Sequence, residues 1–385
     1  MKIKINTNIF LTIFKKIIIT FIFRLYIISS FCITRILYKQ AGKQDLPKIK
    51  KILIVDLGHI GDVIRTMPLV ANLKAHFPNV HISFVTGSWA REVVQNNSNI
   101  DNIFFYNSIF YQRNTFIFKS AFREIINIIK FLKGKKYDLM IEIRGDLFIL
   151  FLTLLHIRKY KVDWEPGYVM SNWLGRRGEI NILKSRLNLL NKISLDVVIK
   201  NPIFQIAEED KMFVRDYKKN NNIQHPMITI SFSSGGTERI WPRHKYADLI
   251  NLILKQPSYI ILIGNKNERI LAEEILLQVD EDKKSKVFNA AGKTTLREAA
   301  AIIQESDLLI CNDSAAVHIA DALNVPTIAL FGPTEPNRVI SNINNNIHVI
   351  CSPDKSSKWK DAITTDIVAE KCHEVLWRQQ PLLVN

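Results

Sequence analysis

From Lys51 onward, short apolar runs alternate with amphipathic stretches, and they do so in two separate series. The first holds "KILIVDL" (51–57), "HISFVTG" (81–87), "NIFFYN" (102–107) and "YDLMIEIRG" (137–145). The second holds "MITISFSS" (227–234), "YIILIGN" (259–265), "KVFNAAG" (286–292), "DLLICND" (307–313) and "PTIALFG" (326–332), with helical segments such as "TTLREAAAIIQES" (294–306) between them. Runs apolar at nearly every position are strands buried on both faces, and the intervals suit crossover helices. The fold class is therefore α/β with parallel sheets. Two series point to two Rossmann-like, doubly wound domains facing a central cleft rather than one oversized sheet. Between them, 150–225 has no clear period: a Trp/Gly/Arg-rich loop (163–179) precedes a helical stretch (183–193) and "KNPIFQI". The expected division is 1–50, 51–205 and 206–385. A ligand in such a pair sits at the carboxyl ends of the strands, between the domains.

The end of the first run, "LGHIGD" (57–62), tests what that ligand is. A dinucleotide loop needs three glycines and a later acidic residue for the ribose. Gly58 and Gly61 fill the last two positions, but Asp56 takes the first, and the next strand ends in "FVTGS" with no acid. No Lys-Ser/Thr follows, so a nucleoside triphosphate loop is excluded as well. What remains is Asp62, at the start of a helix behind a buried strand. There a carboxylate can cap free N–H groups, worth about 0.3–1 kcal/mol, or serve as a general base exposed in the cleft, the two glycines letting a substrate approach the backbone.

Two further strand ends carry candidate residues. In "CNDSAAVHIADALNVPTIALFGPTEPNR" (311–338), Asp313 or Asn312 closes a strand, and the small residues Ser314, Ala315 and Ala316 open a helix whose free N–H groups suit a diphosphate. His318 lies one turn on, and Thr334, Glu335 and Arg338 follow the next strand. In "SFSSGGTERIWPRHKYADLI" (231–250), Thr237 and Arg239 stand in a Gly-Gly loop, where Arg239 can neutralise a departing phosphate; Trp241 reads as packing. "DED" (280–282) reads as a solvated turn before the charged "KKSK".

Composition narrows the partners. Net charge is +16, with ten Lys/Arg against only Asp45 in residues 1–50. That suits an anionic lipid surface or a phosphorylated acceptor; no RNA- or DNA-binding signature accompanies the charge, which argues against nucleic acid. Cys32, Cys311, Cys351 and Cys372 form no CxxC pair and read as reduced. The nine histidines show no metal-ligand spacing, so no metal and no cofactor is expected. In the apolar stretch 17–39, Arg24, Arg35 and Lys39 fall within roughly 60° on a helix. That makes a basic stripe beside a broad apolar face, which fits a helix lying on or anchored in a membrane.

Together "LIVDLGHIGDVIRTMPLVANLKAHFP", "GGTERIWP" and "NDSAAVHIADALNVPTIALFGPTEPNR" resemble glycosyltransferase family 9, the heptosyltransferases that build the inner core of lipopolysaccharide. The resemblance covers residues 51–340. Its most specific parts are the Asp-Ser-x-x-x-His order and the Gly-Pro-Thr-x-Pro turn of the last segment. It implies a GT-B architecture and an inverting, metal-independent transfer from ADP-heptose to a lipid A–Kdo type acceptor at the cytoplasmic face of the inner membrane. On that pattern Asp62 takes the acceptor proton. Arg239 and the helix start at Ser314, Ala315 and Ala316 stabilise the leaving diphosphate. Thr237, Asp313, His318 and Thr334 line the donor pocket, and Gly58, Gly61 and Arg144 stand on the acceptor side. Arg113, Lys119, Arg123, Arg176 and Arg177 join Arg144 as candidates for the acceptor's anionic groups. The chain departs from the family at Ala315, where Gly is usual, and at Asp56, where Lys or Arg is common. Two alternatives stay open: another nucleotide-activated sugar sent to a capsule or O-antigen glycan, and an inactive, membrane-tethered nucleotide-sugar-binding partner.

Overall fold

The computed structural model describes residues 43–107, 118–143, 157–162, 181–341, 343–352, 356 and 358–377. The expected membrane helix at 17–39 and the loop at 163–179 lie outside these residues. Among the described residues, no helix is long and apolar enough to cross a membrane.

The first series forms a parallel sheet of β1 (Lys51–Asp56), β2 (His81–Thr86), β3 (Asn102–Phe105), β4 (Tyr137–Glu142) and β5 (Ile157–Val162), in the order β3-β2-β1-β4-β5. The second forms a parallel sheet of β6 (Met227–Ser231), β7 (Tyr259–Ile263), β8 (Val287–Asn289), β9 (Leu308–Asn312), β10 (Thr327–Phe331) and β11 (Ile347–Cys351), in the order β11-β10-β9-β6-β7-β8. The nine runs read from sequence are all strands, each trimmed at its carboxyl end, where the last residues turn into ligand-edge loops. β5 and β11 were not legible. β5 reads "IRKYKV", basic at three of its six positions, and β11 is half exposed. As edge strands, each is paired on only one side.

The longer helices are α1 (Ile60–His76), α2 (Phe118–Leu132), α3 (Ile182–Lys192), α4 (Glu208–Asn220), α5 (Arg243–Ile253), α6 (Arg269–Leu277), α7 (Leu296–Gln304), α8 (Ala315–Leu323) and α9 (Thr365–Trp377). α1 is buried from Gly61 to Leu73 on every side. A helix with no polar face needs cover all round, and α1 has it: β1 and β2 on one side, α3 on another, and α8 of the second sheet on a third. The apolar cluster holding Ile52, Ile54, Val63, Met67 and Leu73 runs without a break into Val317, Ile319, Ala320 and Phe331. The two sheets thus share one core across their facing sides. Separate clusters cover their outer faces, Leu53, Val55, Tyr106 and Met140 on the first and Ile228, Trp241, Ile260 and Leu330 on the second.

Each sheet reverses its strand order once, between β1 and β4 and between β6 and β9. Such reversals leave a crevice at the strands' carboxyl ends. "LGHIGD" follows β1, "SSGGTER" follows β6 and "DSAAVH" follows β9. All three motifs therefore emerge beside a reversal.

Candidate active site

The turn after β1 is built around Asp56, which is fully buried. Its Oδ1 accepts the Gly58 N–H at 2.8 Å and its Oδ2 accepts the Thr66 hydroxyl at 2.6 Å. The residue that broke the dinucleotide fingerprint ties the turn to α1. A methyl group on Gly58 would fall 2.4 Å from Asp62 Cβ, so only glycine fits. Trp89 closes the turn from outside, its indole N–H donating to the Gly58 carbonyl at 2.7 Å.

Asp62 is buried in the first turn of α1. Its Oδ2 accepts the His59 N–H at 3.1 Å, the capping role expected of a helix-start carboxylate. Its Oδ1 pairs with Arg65 Nη2 at 2.9 Å and lies 3.7 Å from Arg186 Nη2. Arg186 also donates to the Asp62 carbonyl and lies 3.8 Å from Asp56 Oδ2. Two carboxylates and two guanidinium groups, all buried, thus compensate one another. Removing one member of a buried pair leaves an unmatched charge, at a cost of about 3–5 kcal/mol. Arg65 and Arg186 escaped the sequence reading. Arg65 had a signal, since it stands three residues after Asp62 on the same helix face. Arg186 had none, being brought from 124 residues away by α3.

At the second sheet, Arg239 Nη1 meets Asp313 Oδ2 at 3.1 Å, and Arg239 Nε lies 3.5 Å from Glu238 Oε1. Ser234 Oγ donates to the Asp313 carbonyl at 2.6 Å, joining the β6 loop to the β9 loop. Ser314 caps α8 by accepting the Ala316 N–H at 3.3 Å, so one of the amides read as diphosphate donors is engaged by its own cap. Ala315 is half-buried at the first helical position. The Thr237 side of this loop is exposed, and its carbonyl accepts from Lys360 at 3.2 Å. Thr334 is half-buried just beyond β10, at the same edge. Trp241 packs as expected, fully buried and edge-on to Tyr246 with ring centroids 5.0 Å apart. The 280–282 turn is also as expected, with exposed acids paired to Lys283 and Lys284.

The two edges meet at Gly61 and His318. A methyl group on Gly61 would fall 2.2 Å from His318 Cδ2. The sequence reading left the space beside Gly58 and Gly61 for a substrate; the structure fills it with Asp56, Asp62 and the His318 ring. Burial pushes the His318 imidazole pKa well below its usual value, Arg65 and Arg186 push it further down, and Asp62 opposes them. His318 is therefore neutral at pH 7. Around this contact, Asn181 donates to the carbonyls of Asn337 at 2.9 Å and Ile340 at 2.5 Å, and Arg65 donates to that of Val339 at 3.1 Å. Of the expected acceptor-side cations, Arg113, Arg144, Arg176 and Arg177 lie outside the described residues, as does the Lys119 side chain. Arg123 is exposed on α2. Among the described residues, no group of three or more His, Cys, Asp or Glu is placed to hold a metal ion.

Residues 125–366 match the family model for glycosyltransferase family 9 (heptosyltransferase). The chain belongs to this family. The match spans β6 to β10 and every residue expected on the donor side. Lipooligosaccharide heptosyltransferase 2 of Haemophilus influenzae is 24% identical over 356 residues, which cover 84% of this chain and 99% of that protein. A family 9 glycosyltransferase from Veillonella parvula superposes with a TM-score of 0.70 at 20% identity, covering 86% of this chain and 98% of its own. The ADP-heptose lipopolysaccharide heptosyltransferase II of Escherichia coli superposes at 0.68 with 19% identity, covering 86% and 100%. The fold of this family 9 member is thus the GT-B arrangement of two facing α/β units, and the chain is a glycosyltransferase.

Proposed function

We propose that this family 9 enzyme moves a heptose from ADP-heptose to a lipid A–Kdo type acceptor of the lipopolysaccharide core, with inversion at the anomeric carbon. The acceptor hydroxyl oxygen forms the new bond to that carbon as the bond to the ADP oxygen breaks. The hydroxyl proton passes to Asp62, and ADP leaves with the electron pair. Arg239 and the free amides at the α8 start meet the charge that grows on the diphosphate. Asp313 orients Arg239, His318 and Thr334 line the donor pocket, and Thr237 adds a phosphate hydrogen bond. Gly58 and Gly61 shape the acceptor-side turn, and Arg144 meets the acceptor's anionic groups. The domain division follows the same reading: 1–50 as membrane-associated segment, 51–205 on the acceptor side, 206–385 on the donor side.

The observation that carries this is the Gly61–His318 contact, which sets an acceptor-side carboxylate against the helix that opens the donor site. The names of the Haemophilus and Escherichia relatives supply the sugar and the acceptor class. A place at the cytoplasmic face of the inner membrane is supported by the basic, apolar 17–39 stretch. It is also supported by the outer face of α2, where Arg123 and Lys130, with Lys133 just beyond the helix end, flank exposed Ile126 and Ile129.

The purified chain, given ADP-heptose and a panel of Kdo–lipid A acceptors, is expected to release ADP in step with glycosylated product. Asp62→Asn should melt at a lower temperature, since Arg65 and Arg186 lose a buried partner, yet fold cooperatively and lose about 10²–10⁴-fold in transfer, the range of general-base catalysis. Full activity in that variant would remove Asp62 as the base. Because Ala315 adds a methyl group where the family usually has Gly, other nucleotide sugars belong in the same assay; faster transfer from one of them would reassign the donor. ADP release without product would leave only hydrolysis.

A further inference from the structure

We propose that Arg65 is a positioning residue for the transfer: it orients the Asp62 carboxylate through a guanidinium whose place is fixed by the opposite sheet. The inference rests on the reading of Asp62 as the base. It starts from the reach of one side chain. Arg65 Nε donates to the Gly61 carbonyl at 3.0 Å, Nη1 to the Val339 carbonyl at 3.1 Å, and Nη2 to Asp62 Oδ1 at 2.9 Å. The first and third partners belong to its own helix. The second lies in the loop after β10, 274 residues further on.

A guanidinium is planar and rigid, with its N–H groups in a fixed fork. Where Nη1 sits therefore decides where Nη2 points. Seating the 337–340 segment against α1 and α3 aims the fork at Oδ1, and lifting it away takes one of the three anchors. Arg186 does not share this property. It holds the Asp62 carbonyl and stands between Asp56 and Asp62, so among the described residues its hydrogen-bond and ion-pair partners belong to the first sheet's unit. Arg186 holds the turn from within the first unit, while Arg65 also reaches the second.

The same segment links the base to the donor edge. Val339 follows Thr334 and Glu335 by only a few residues, and its neighbours Asn337 and Ile340 are held by Asn181. Three successive contacts to main-chain carbonyls thus bind this donor-side loop to the acceptor side, and one of the three is made by the group that holds the base. A misplacement of about 1 Å at a reacting group can cost 10²-fold, so a small change in the Arg65 fork is enough to register in turnover. The arrangement differs from a plain buried ion cluster in one respect that can be measured: its effect must pass through Asp62.

The test uses the full chain with ADP-heptose and a Kdo–lipid A acceptor. Arg65→Lys keeps the charge but cannot span three partners, and Arg65→Gln can serve Asp62 or Val339 but not both. Both should lower kcat by about 10–100-fold while the donor KM stays within about threefold, with cooperative melting retained. Placed on Asp62→Asn, Arg65→Lys should cost nothing more, because residues acting as one unit are non-additive. Wild-type kcat in Arg65→Lys would overturn the inference, and so would a loss that multiplies undiminished on the Asp62→Asn background. Failure of both single variants to fold would assign Arg65 to structure alone. Full activity in Asp62→Asn would instead overturn the base reading itself, so the two failures are told apart.

Discussion

The two edges of the cleft solve opposite electrostatic problems. On the acceptor edge, Asp56, Asp62, Arg65 and Arg186 are all at least nine-tenths buried and match charge for charge. On the donor edge, the Arg239 side chain is 27% exposed and Glu238 beside it 64% exposed, with Asp313 the buried partner. On the proposed reading, a group that takes one proton from a neutral hydroxyl gains from a dry, fixed setting. A group that receives and releases a diphosphate would then have to stay reachable by solvent and ligand. Damage to the first edge should therefore appear in kcat, and damage to the second in kcat and donor KM together. Asp62→Asn, with a stable donor KM, is the largest expected effect and the first check on this division.

Next comes Arg239. Arg239→Ala should lose about 10²–10³-fold in kcat, the usual result of removing one donor to a developing negative charge. It should also raise the donor KM, since the same contact serves the ground state. Arg239→Lys should recover part of both, because a charge remains but the fork does not. An unchanged donor KM in Arg239→Ala would break the comparison, placing Arg239 with the acceptor edge.

Gly61→Ala tests the seam itself. The new methyl would lie 2.2 Å from the buried His318 ring. Overpacking of this kind costs about 1–3 kcal/mol, and transfer should fall about tenfold if α1 and α8 are pushed apart by a fraction of an ångström. Adding His318→Ala should restore the melting temperature toward the Gly61 parent, because the clash then has no second partner. A melting temperature unchanged by Gly61→Ala alone would mean that the seam is looser than its geometry.

A smaller effect follows from the charge state of His318. Burial, Arg65 and Arg186 depress its pKa in the folded chain, while the unfolded chain has the ordinary value near 6.5. Above about pH 6.5 both states hold a neutral ring and the residue contributes no pH dependence. Below it the unfolded state binds a proton that the folded state refuses, so stability falls as pH drops, by up to about 1.4 kcal/mol per pH unit. His318→Asn should flatten the decline of melting temperature between about pH 6.5 and 5. Parallel curves for the two proteins would show that Asp62 offsets the other two influences.

Much of this fold is legible in the sequence. A buried parallel strand advertises itself by an unbroken apolar run, and all nine such runs are strands. The two strands missed, β5 and β11, lie at sheet edges, where one partner suffices and the pattern blurs. The residues proposed for the donor side stand in short segments that each follow a strand, and the structure joins two of those loops through Arg239, Asp313 and Ser234. The acceptor edge was only half legible. Asp62 stood out, but Asp56 read as a defect, and its two hydrogen bonds need the third dimension to be seen. Arg186, Asn181 and the Val339 carbonyl enter from distant parts of the chain, and no spacing rule reaches across 124 to 274 residues. Glycine gave the most misleading signal: Gly58 and Gly61 mark close approach, but of the chain to itself.

The smallest expected effect concerns the acidic turn at 280–282, and it sharpens the comparison by supplying a region with charge and no role. Glu281 and Asp282 are exposed, and Glu281 pairs with Lys284 within the turn. An exposed pair of this kind contributes about 0.2–1 kcal/mol at most. It lies beyond α6, before β8 at the far edge of the second sheet, whereas the donor residues follow β6, β9 and β10. If charge near the second sheet were enough to affect the donor, neutralising this turn would raise donor affinity by weakening the competition for cations. If only the groups at the strand reversal matter, Glu281→Gln with Asp282→Asn should leave kcat and donor KM within about twofold of the parent, because exposed charges are screened over a Debye length of about 8 Å at physiological salt. A larger shift in donor KM would mean that the diphosphate responds to the whole face of the sheet, and the contrast between a sealed edge and an open one would then have to be drawn in terms of field as well as contact.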